Sequence, residues 1–332
     1  MQEQILTPKT SDQKNNEKLV SRVKVQTSVI VTLYNLESDI ADVYNSVLGA
    51  LKKTDNHFEV IFVDNGSDDN SWNKLKDLSA KERRVKLIRL RNRFDESVSF
   101  DAGLKHASGE SILFFNTRVR INPAQISKLL KKLNQGYDLV MGWRYPRRDS
   151  KLNQIISRAF NWIVRKFSNI ALQDVNSGVL ATRREVLEDI PIYGNLNIFI
   201  PISAAQKGYR VTDEKIEQLP GSFRQSKYVS EYFRRLLDIV TVIFLTKYSK
   251  KPLHFLGFFG LIFAIAGGAM NIYLFIYRLF EFGPIAGRPL LLLGALLLVI
   301  GIQMISIGLI GEMIIFTHAK DIKEYSIEEI LE

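Results

Sequence analysis

The stretch Ile61-Phe62-Val63-Asp64-Asn65-Gly66-Ser67-Asp68-Asp69-Asn70-Ser71 decides how the rest of the chain is read. An apolar run ends in an acidic turn holding one glycine, and a helical pattern opened by a serine follows. Continuous apolar runs of this length suit strands covered on both faces, as in parallel sheets. At the carboxyl edge of such a sheet, strand-to-helix turns are where nucleotides bind. Gly66 lets the backbone bend, and Asp64 can accept hydrogen bonds from a base or a ribose. Asp and Asn also fill ordinary turns for local reasons, so the surrounding pattern has to carry the assignment.

Outward from that turn the pattern repeats. Residues 27–34 (TSVIVTLY) read as a first buried strand, 58–63 as a second, 85–90 as a third, 111–115 as a fourth and 139–142 as a fifth. Helical patterns separate them at 37–51, 72–81, 98–107 and 123–134, the last opened by Pro123 at a favourable first helical position. Strands alternating with helices of this length predict an α/β domain over residues 27–222, built on a mostly parallel sheet covered on both faces.

The chain has 332 residues and no cysteine, which excludes a disulfide framework and a thiolate metal site. Its formal net charge of +10 suits a nucleotide, a lipid phosphate or an anionic membrane surface. No compact Lys/Arg run interleaved with aromatics is present, so nucleic acid is not an expected partner. Residues 1–26 are polar, mixed in charge and without the apolar core of a signal peptide, and they read as a flexible cytosolic tail.

The segment 252–332 has a different character. Residues 253–280 carry no charge before Arg278, and 289–316 none before Glu312. Each run exceeds the ~20 apolar residues that span a bilayer. Lys247, Lys250 and Lys251 precede the first run, His318, Lys320 and Lys323 follow the second, and the loop 281–288 is nearly neutral. The positive-inside rule then predicts a two-helix transmembrane hairpin in the cell membrane, with both chain ends cytoplasmic. Gly294, Gly301 and Gly308 recur at heptad spacing, with Gly311 close by. Such a stripe permits close helix approach, within the hairpin or in a homo-oligomer through the transmembrane helices.

Two further segments are amphipathic and basic. In residues 152–170, Ile155, Ile156, Phe160, Ile163 and Phe167 share one face, with Arg158, Arg165 and Lys166 elsewhere. Packing on the sheet and a role at the membrane surface both stay open for it. Residues 228–248, within a juxtamembrane segment 223–251, lead straight into the first span and read as a helix lying in the membrane interface.

Several motifs in one order resemble the inverting, family-2 polyprenyl-phosphate glycosyltransferases, a group that includes dolichol-phosphate mannose synthases and bactoprenol glycosyltransferases. The segment Ser28 to Asn35 (SVIVTLYN) is similar to the family's opening strand, with Thr32 where a proline is usual. Val63 to Ser71 resembles Val-Asp-Asp-Gly-Ser-x-Asp, and Ala102 to Leu104 with Ala107 to Gly109 resembles the helix end before the metal-binding strand. Gly142-Trp143-Arg144 looks like Gly-Ser-Arg, and Asp174 to Gly178 followed by Arg183 to Leu187 resembles the acceptor-side segment. Ser226-Lys227-Tyr228 matches the end of Gly-x-Ser-Lys-Tyr, and Gly308 to Glu312 closes the second span as in the bactoprenol branch. The resemblance implies a GT-A type nucleotide-binding domain that transfers a sugar from a nucleotide-sugar donor to a polyprenyl phosphate at a lipid bilayer, in cell-envelope glycan modification.

In that chemistry a lipid-phosphate oxygen attacks the anomeric carbon with inversion. A phosphate is already ionised near neutral pH, so the demand is for charge stabilisation on the departing nucleotide diphosphate. The resemblance implies Mg²⁺ or Mn²⁺ on an Asp-x-Asp motif at the end of the fourth strand, but Asn116-Thr117-Arg118-Val119-Arg120 stands in that place. One aspartate has become a neutral amide and the other a cation, so the expected metal ligands are absent. Other departures are Leu180 and Asn153 where arginines are expected, and Gly221 and Arg224, which exchange an expected arginine and glycine.

Three readings compete. Arg118 and Arg120 clamp the diphosphate in the metal's stead; or a displaced carboxylate, Asp95, Glu96 or Asp101, holds an ion, although these residues read as beginning or facing a solvated helix; or the chain has lost activity and serves as a membrane-bound partner or regulator. The first carries the expected roles. Asp64 and Asp69 contact the nucleoside, Asn116 lies in the donor site, and Arg118, Arg120 and Arg144 meet phosphates. Ser226 lies beside Lys227, which binds the diphosphate or the lipid phosphate.

Overall fold

A computed structural model of the protein describes residues 25–53, 57–80, 82–148, 151–168, 170–190, 199–220, 248, 251–285 and 289–318. The segment 1–24, Ser226, Lys227 and all of the expected interface helix except Tyr248 lie outside the described residues.

Seven strands form one sheet: β1 (Thr27–Leu33), β2 (Phe58–Asp64), β3 (Val85–Arg89), β4 (Ser111–Asn116), β5 (Leu139–Arg144), β6 (Val179–Arg183) and β7 (Val211–Ile216). Their order is β3-β2-β1-β4-β6-β5-β7, with β6 antiparallel to both neighbours and the other pairings parallel. The helices of this domain are α1 (Ile40–Lys52), α2 (Ser71–Ser79), α3 (Glu96–His106), α4 (Ile126–Leu133), α5 (Lys151–Ser168), α6 (Arg184–Asp189) and α7 (Ile200–Gln206).

Every residue of β1 and β2 is buried, as their mostly apolar sequences suit strands covered on both faces; the buried Glu59 is held by Ser28 and Lys86. Alternate residues feed two cores. Val29, Val31, Val60 and Phe62 pack with Ile40, Val47 and Leu51 of α1 and with Leu129 and Leu133 of α4. Ile30, Ile61 and Val63 face the other way, with Phe100 of α3 and with Phe160 and Val164 of α5. α5 therefore packs on the sheet, while Ile155 and Trp162 on its outer side are 57% and 55% exposed.

The expected helix over 123–134 divides into a short 3-10 turn, Pro123–Gln125, and α4, with the Asn122 side chain accepting from the Ala124 N–H to start the turn. β6 and β7 were not anticipated. β7 (VTDEKI) is an edge strand with only one buried residue, so it lacks the apolar run that marks the others.

Two further helices, α8 (Pro252–Leu279) and α9 (Pro289–His318), match the two apolar runs and are long and apolar enough to cross a membrane. Phe258, Leu292 and Phe316 are 60%, 73% and 81% exposed, the reverse of helices in a soluble core. The glycine stripe is consumed between these two helices. A Cβ on Gly301 would lie 2.6 Å from the Gly260 carbonyl oxygen, and one on Gly267 would lie 2.5 Å from the Gly294 carbonyl oxygen. Backbones this close need glycine on both sides, so the stripe serves the hairpin itself.

Candidate active site

The register aligns three strand ends. Leu33 pairs with Asp64 across β1 and β2, and Thr32 pairs with Asn116 across β1 and β4. The residues after β1, β2 and β4 therefore share one edge of the sheet, where ligands bind in open α/β folds.

The acidic turn is tightly built. Gly66 has φ +70°, and a Cβ there would lie 2.6 Å from the Asn92 carbonyl carbon, so only glycine fits. Asn65 exchanges two hydrogen bonds with the Phe94 backbone, each 2.8 Å, which ties the segment before α3 to the end of β2. Asp64 is fully buried; its Oδ1 accepts from the Ser67 N–H (3.1 Å) and hydroxyl, and its Oδ2 lies 3.4 Å from Arg89 Nε without a hydrogen-bond partner. That orphaned oxygen leaves Asp64 an acceptor with capacity to spare. Asp69 has its oxygens occupied by the backbone N–H groups of Glu37 (3.1 Å) and Ser71 (3.0 Å). Burial alone would raise its pKa, but the hydrogen bonds from Ser71 and Glu37 outweigh that and lower it. Asp69 thus ties the start of α2 to the β1–α1 connection. Arg93 lies 4.5 Å above the Tyr34 ring, and Arg91, Arg93 and Arg118 are exposed.

At the end of β4 the chain turns through a 3-10 segment, Thr117–Val119, and Arg120 adopts left-handed backbone angles. Thr117 Oγ1 donates to the Thr32 carbonyl at 2.9 Å, anchoring the turn on β1. Asn116 uses both ends of its amide within the protein: Oδ1 accepts from the Arg118 N–H (2.9 Å), and Nδ2 donates to Glu96 Oε2 (2.6 Å). The two arginines are in different settings. Arg118 is exposed, whereas Arg120 Nη1 sits 3.4 Å from Asp39 Oδ2, just before α1.

Of the three acids weighed as displaced ligands, only Glu96 turns inward. Asp95 is exposed, and Asp101 pairs with Lys105 at 2.6 Å on the solvent side. Burial pushes the Glu96 carboxyl up from the ordinary range, against the opposing pull of the Asn116 hydrogen bond and the positive charges of Arg118 and Arg144. Its helical spacing with Phe100 and Gly103, both buried, was the signal that places it on the inner face. The Mg²⁺ or Mn²⁺ implied by the resemblance does not fit these residues. Among the described residues no three of His, Asp and Glu converge, and the segment that would hold the ion presents a committed amide and two cations.

Arg144 is buried. Its Nε and Nη2 grip Asp174 at 2.6 and 2.9 Å, and Nη2 also donates to the Asn176 carbonyl at 3.0 Å, with both side chains buried. Beside this pair opens a cavity of about 350 Å³, whose wall includes Trp143, Arg147, Arg158 and Arg165. Arg147 donates to the Ser157 hydroxyl at 2.6 Å and lies 3.8 Å from Asp174. Four arginines against one aspartate make this an anion-attracting hollow. Leu180, at an expected arginine position, is buried in β6 and belongs to the core.

The description "Glycosyl transferase family 2" matches residues 28–190. The dodecaprenyl-phosphate galacturonate synthase of Rhizobium johnstonii is 26% identical over 303 residues, covering 90% of this chain and 90% of its own. Among solved structures, the glucosyl-3-phosphoglycerate synthase of Mycobacterium tuberculosis bound to phosphoglyceric acid superposes with a TM-score of 0.52 at 17% identity, over 67% of this chain and 79% of that one. The same enzyme holding Mn²⁺, UDP-glucose and phosphoglyceric acid gives a TM-score of 0.50 at 16% identity, with the same coverage of both chains. At these identities the structures establish the fold, a GT-A-like α/β domain on a mostly parallel sheet.

Proposed function

We propose that this chain, whose residues 28–190 match glycosyl transferase family 2, moves a sugar from a nucleotide-sugar to a polyprenyl phosphate at the cytoplasmic face of a membrane, with inversion. The observation that carries the reading is the pairing of two sites: an acidic nucleotide-type turn at Asp64 to Ser67, and a hollow walled by Arg147, Arg158 and Arg165 beside the Arg144–Asp174 pair. The Rhizobium relative is named for a polyprenyl-phosphate product, and the mycobacterial enzyme holds a nucleotide-sugar with a phosphate-bearing acceptor.

In this proposal the spare oxygen of Asp64 receives the nucleoside, and Arg118 meets the diphosphate at the end of β4. The lipid phosphate enters the arginine-walled hollow. One of its oxygens forms the new bond to the anomeric carbon as the carbon–oxygen bond to the diphosphate breaks, with the electron pair leaving on the nucleotide. Arg118 stabilises that charge by a charge-assisted hydrogen bond, with Arg120 behind it. Asp69 and Arg144 shape the site through the backbones they hold, and Ser226 and Lys227 add to the phosphate contacts from outside the described residues. α8 and α9 cross the bilayer, placing both termini in the cytoplasm and the 281–288 loop outside.

The test is sugar transfer by the purified full chain in nanodiscs, with undecaprenyl phosphate and a panel of UDP- and GDP-sugars, with and without EDTA. Transfer that survives EDTA is expected. Transfer abolished by EDTA would remove the arginine account, and no transfer with any donor would favour the second reading. That reading, a membrane partner without activity, draws on the replacement of acids at Asn116 and Arg118, and it requires negligible nucleotide-sugar binding under every condition.

A further inference from the structure

We propose that Glu96 is a positioning residue that fastens the Asn116–Arg118 segment in the donor site, doing by hydrogen bonding what an ion held at the end of β4 would otherwise do. The inference rests on the donor-site reading above and extends it to a residue with no assigned part in the chemistry.

The geometry forms a relay. Glu96 Oε2 accepts from Asn116 Nδ2 at 2.6 Å, and Asn116 Oδ1 accepts from the Arg118 N–H at 2.9 Å. One carboxylate on α3 thereby holds the backbone from which Arg118 projects. Glu96 is itself wedged in place. A Cβ on Gly178 would lie 3.5 Å from Glu96 Oε1 and 3.3 Å from Val119 Cγ1, so the carboxyl sits between the 3-10 turn after β4 and the loop leading into β6. Three walls of the site, α3, the end of β4 and the 174–178 loop, meet at this side chain.

The residue types at 96 and 116 make sense only together. An aspartate at 116 has no N–H to offer, so two carboxylates would face each other at hydrogen-bond distance. An asparagine there supplies the donor that Glu96 needs and keeps the acceptor that Arg118 needs. A hydrogen bond from an amide N–H to a carboxyl oxygen in a buried, low-dielectric setting is stronger than the same bond in water, which suits it to hold a loop.

The experiment is hydrogen–deuterium exchange by mass spectrometry on the full chain in detergent, following the peptide over 116–120. It is paired with calorimetric binding of UDP and GDP in EDTA. Glu96→Ala should speed exchange of that peptide by about tenfold, the worth of one hydrogen bond, and weaken binding by a similar factor. Glu96→Gln keeps an acceptor oxygen and should restore slow exchange. Asn116→Asp removes the donor alone and should loosen the segment as Glu96→Ala does, which covers the case in which the alanine variant fails to fold. Unchanged exchange in a folded Glu96→Ala or Asn116→Asp protein overturns the proposal, as does equal loosening in Glu96→Ala and Glu96→Gln. If the exchange pattern holds but the unmodified chain binds neither nucleotide, the anchoring stands and the donor-site reading fails.

Discussion

Arg144 and Asp174 grip each other through two parallel hydrogen bonds, Nε to Oδ2 at 2.6 Å and Nη2 to Oδ1 at 2.9 Å, with both side chains buried. The pair joins the end of β5 to the loop before β6. It also changes what Arg144 contributes: its charge is balanced by Asp174, and the net positive character of the hollow comes from Arg147, Arg158 and Arg165. Such a pair is worth little over a well-packed apolar substitute, yet breaking it from one side leaves an uncompensated buried charge.

Asp174→Ala should therefore lower stability by about 3–5 kcal/mol in chemical denaturation. Arg144→Lys should fare poorly too, because lysine lacks the planar fork that satisfies both carboxylate oxygens. A loss below about 1 kcal/mol in Asp174→Ala, the scale of an exposed pair, would show that the pair is solvated in solution.

Arg118 and Arg120 should separate in their effects. Arg118 is exposed, whereas Arg120 spends part of its charge on Asp39 at 3.4 Å. Arg118→Ala should weaken nucleotide diphosphate binding in EDTA by about 1.5–3 kcal/mol, with the difference shrinking as salt rises. Arg120→Ala should cost less in calorimetric binding. Equal losses in the two variants would mean that both arginines reach the diphosphate.

Glu96 sets a dependence on pH whose sign is definite. Its folded-state pKa is raised, foremost by burial, so the folded chain holds the proton more tightly than the unfolded one. Stability then falls as pH rises through the window between the ordinary glutamate value and the raised one, and stays lowered above it. Glu96→Gln cannot ionise, so its melting advantage over the unmodified chain should grow as pH rises and vanish towards about pH 4. A melting difference that is constant with pH would contradict this.

The hairpin offers a paired test. Gly267→Val would drive a side chain into the Gly294 carbonyl and the Leu298 N–H, each 2.5 Å from the added Cβ. A Cβ on Gly268 meets nothing within 4 Å. The first variant should lose about 1–3 kcal/mol of thermal stability in detergent, by the usual cost of overpacking. The second should lose little. Since the chain has no cysteine, a cysteine pair engineered across the two helices would report their separation without background.

Much of the fold was legible because local chemistry writes it. The apolar runs of β1 and β2 mark their strands to within a residue, since strands buried on both faces have no alternative composition. The two long apolar runs at 252–279 and 289–318 read as spans because length and apolarity suffice for that inference. The motif order carried the resemblance to family-2 glycosyltransferases, and the turn at Gly66 is required by a backbone clash that only glycine avoids.

The pairings were decided by the tertiary structure. Nothing local says that Arg144 will meet Asp174, thirty positions on, or that Glu96, on the inner face of α3, will find Asn116 as its partner. Asp64 and Asp69 look alike in one acidic turn, yet one keeps an oxygen that accepts no hydrogen bond, 3.4 Å from Arg89, and the other is used up on two backbone N–H groups. β7 stayed hidden because an edge strand can be mostly polar. The amino-acid sequence by itself determined the first five strands, the helices between them and the two long apolar runs, because those follow from short-range pattern and burial. Which charged groups cancel and which stay open to a ligand depends on the packing of β5, the β6 loop and α3 around one sheet edge. A charge buried beside its partner is electrostatically spent, and only the fold chooses the partner.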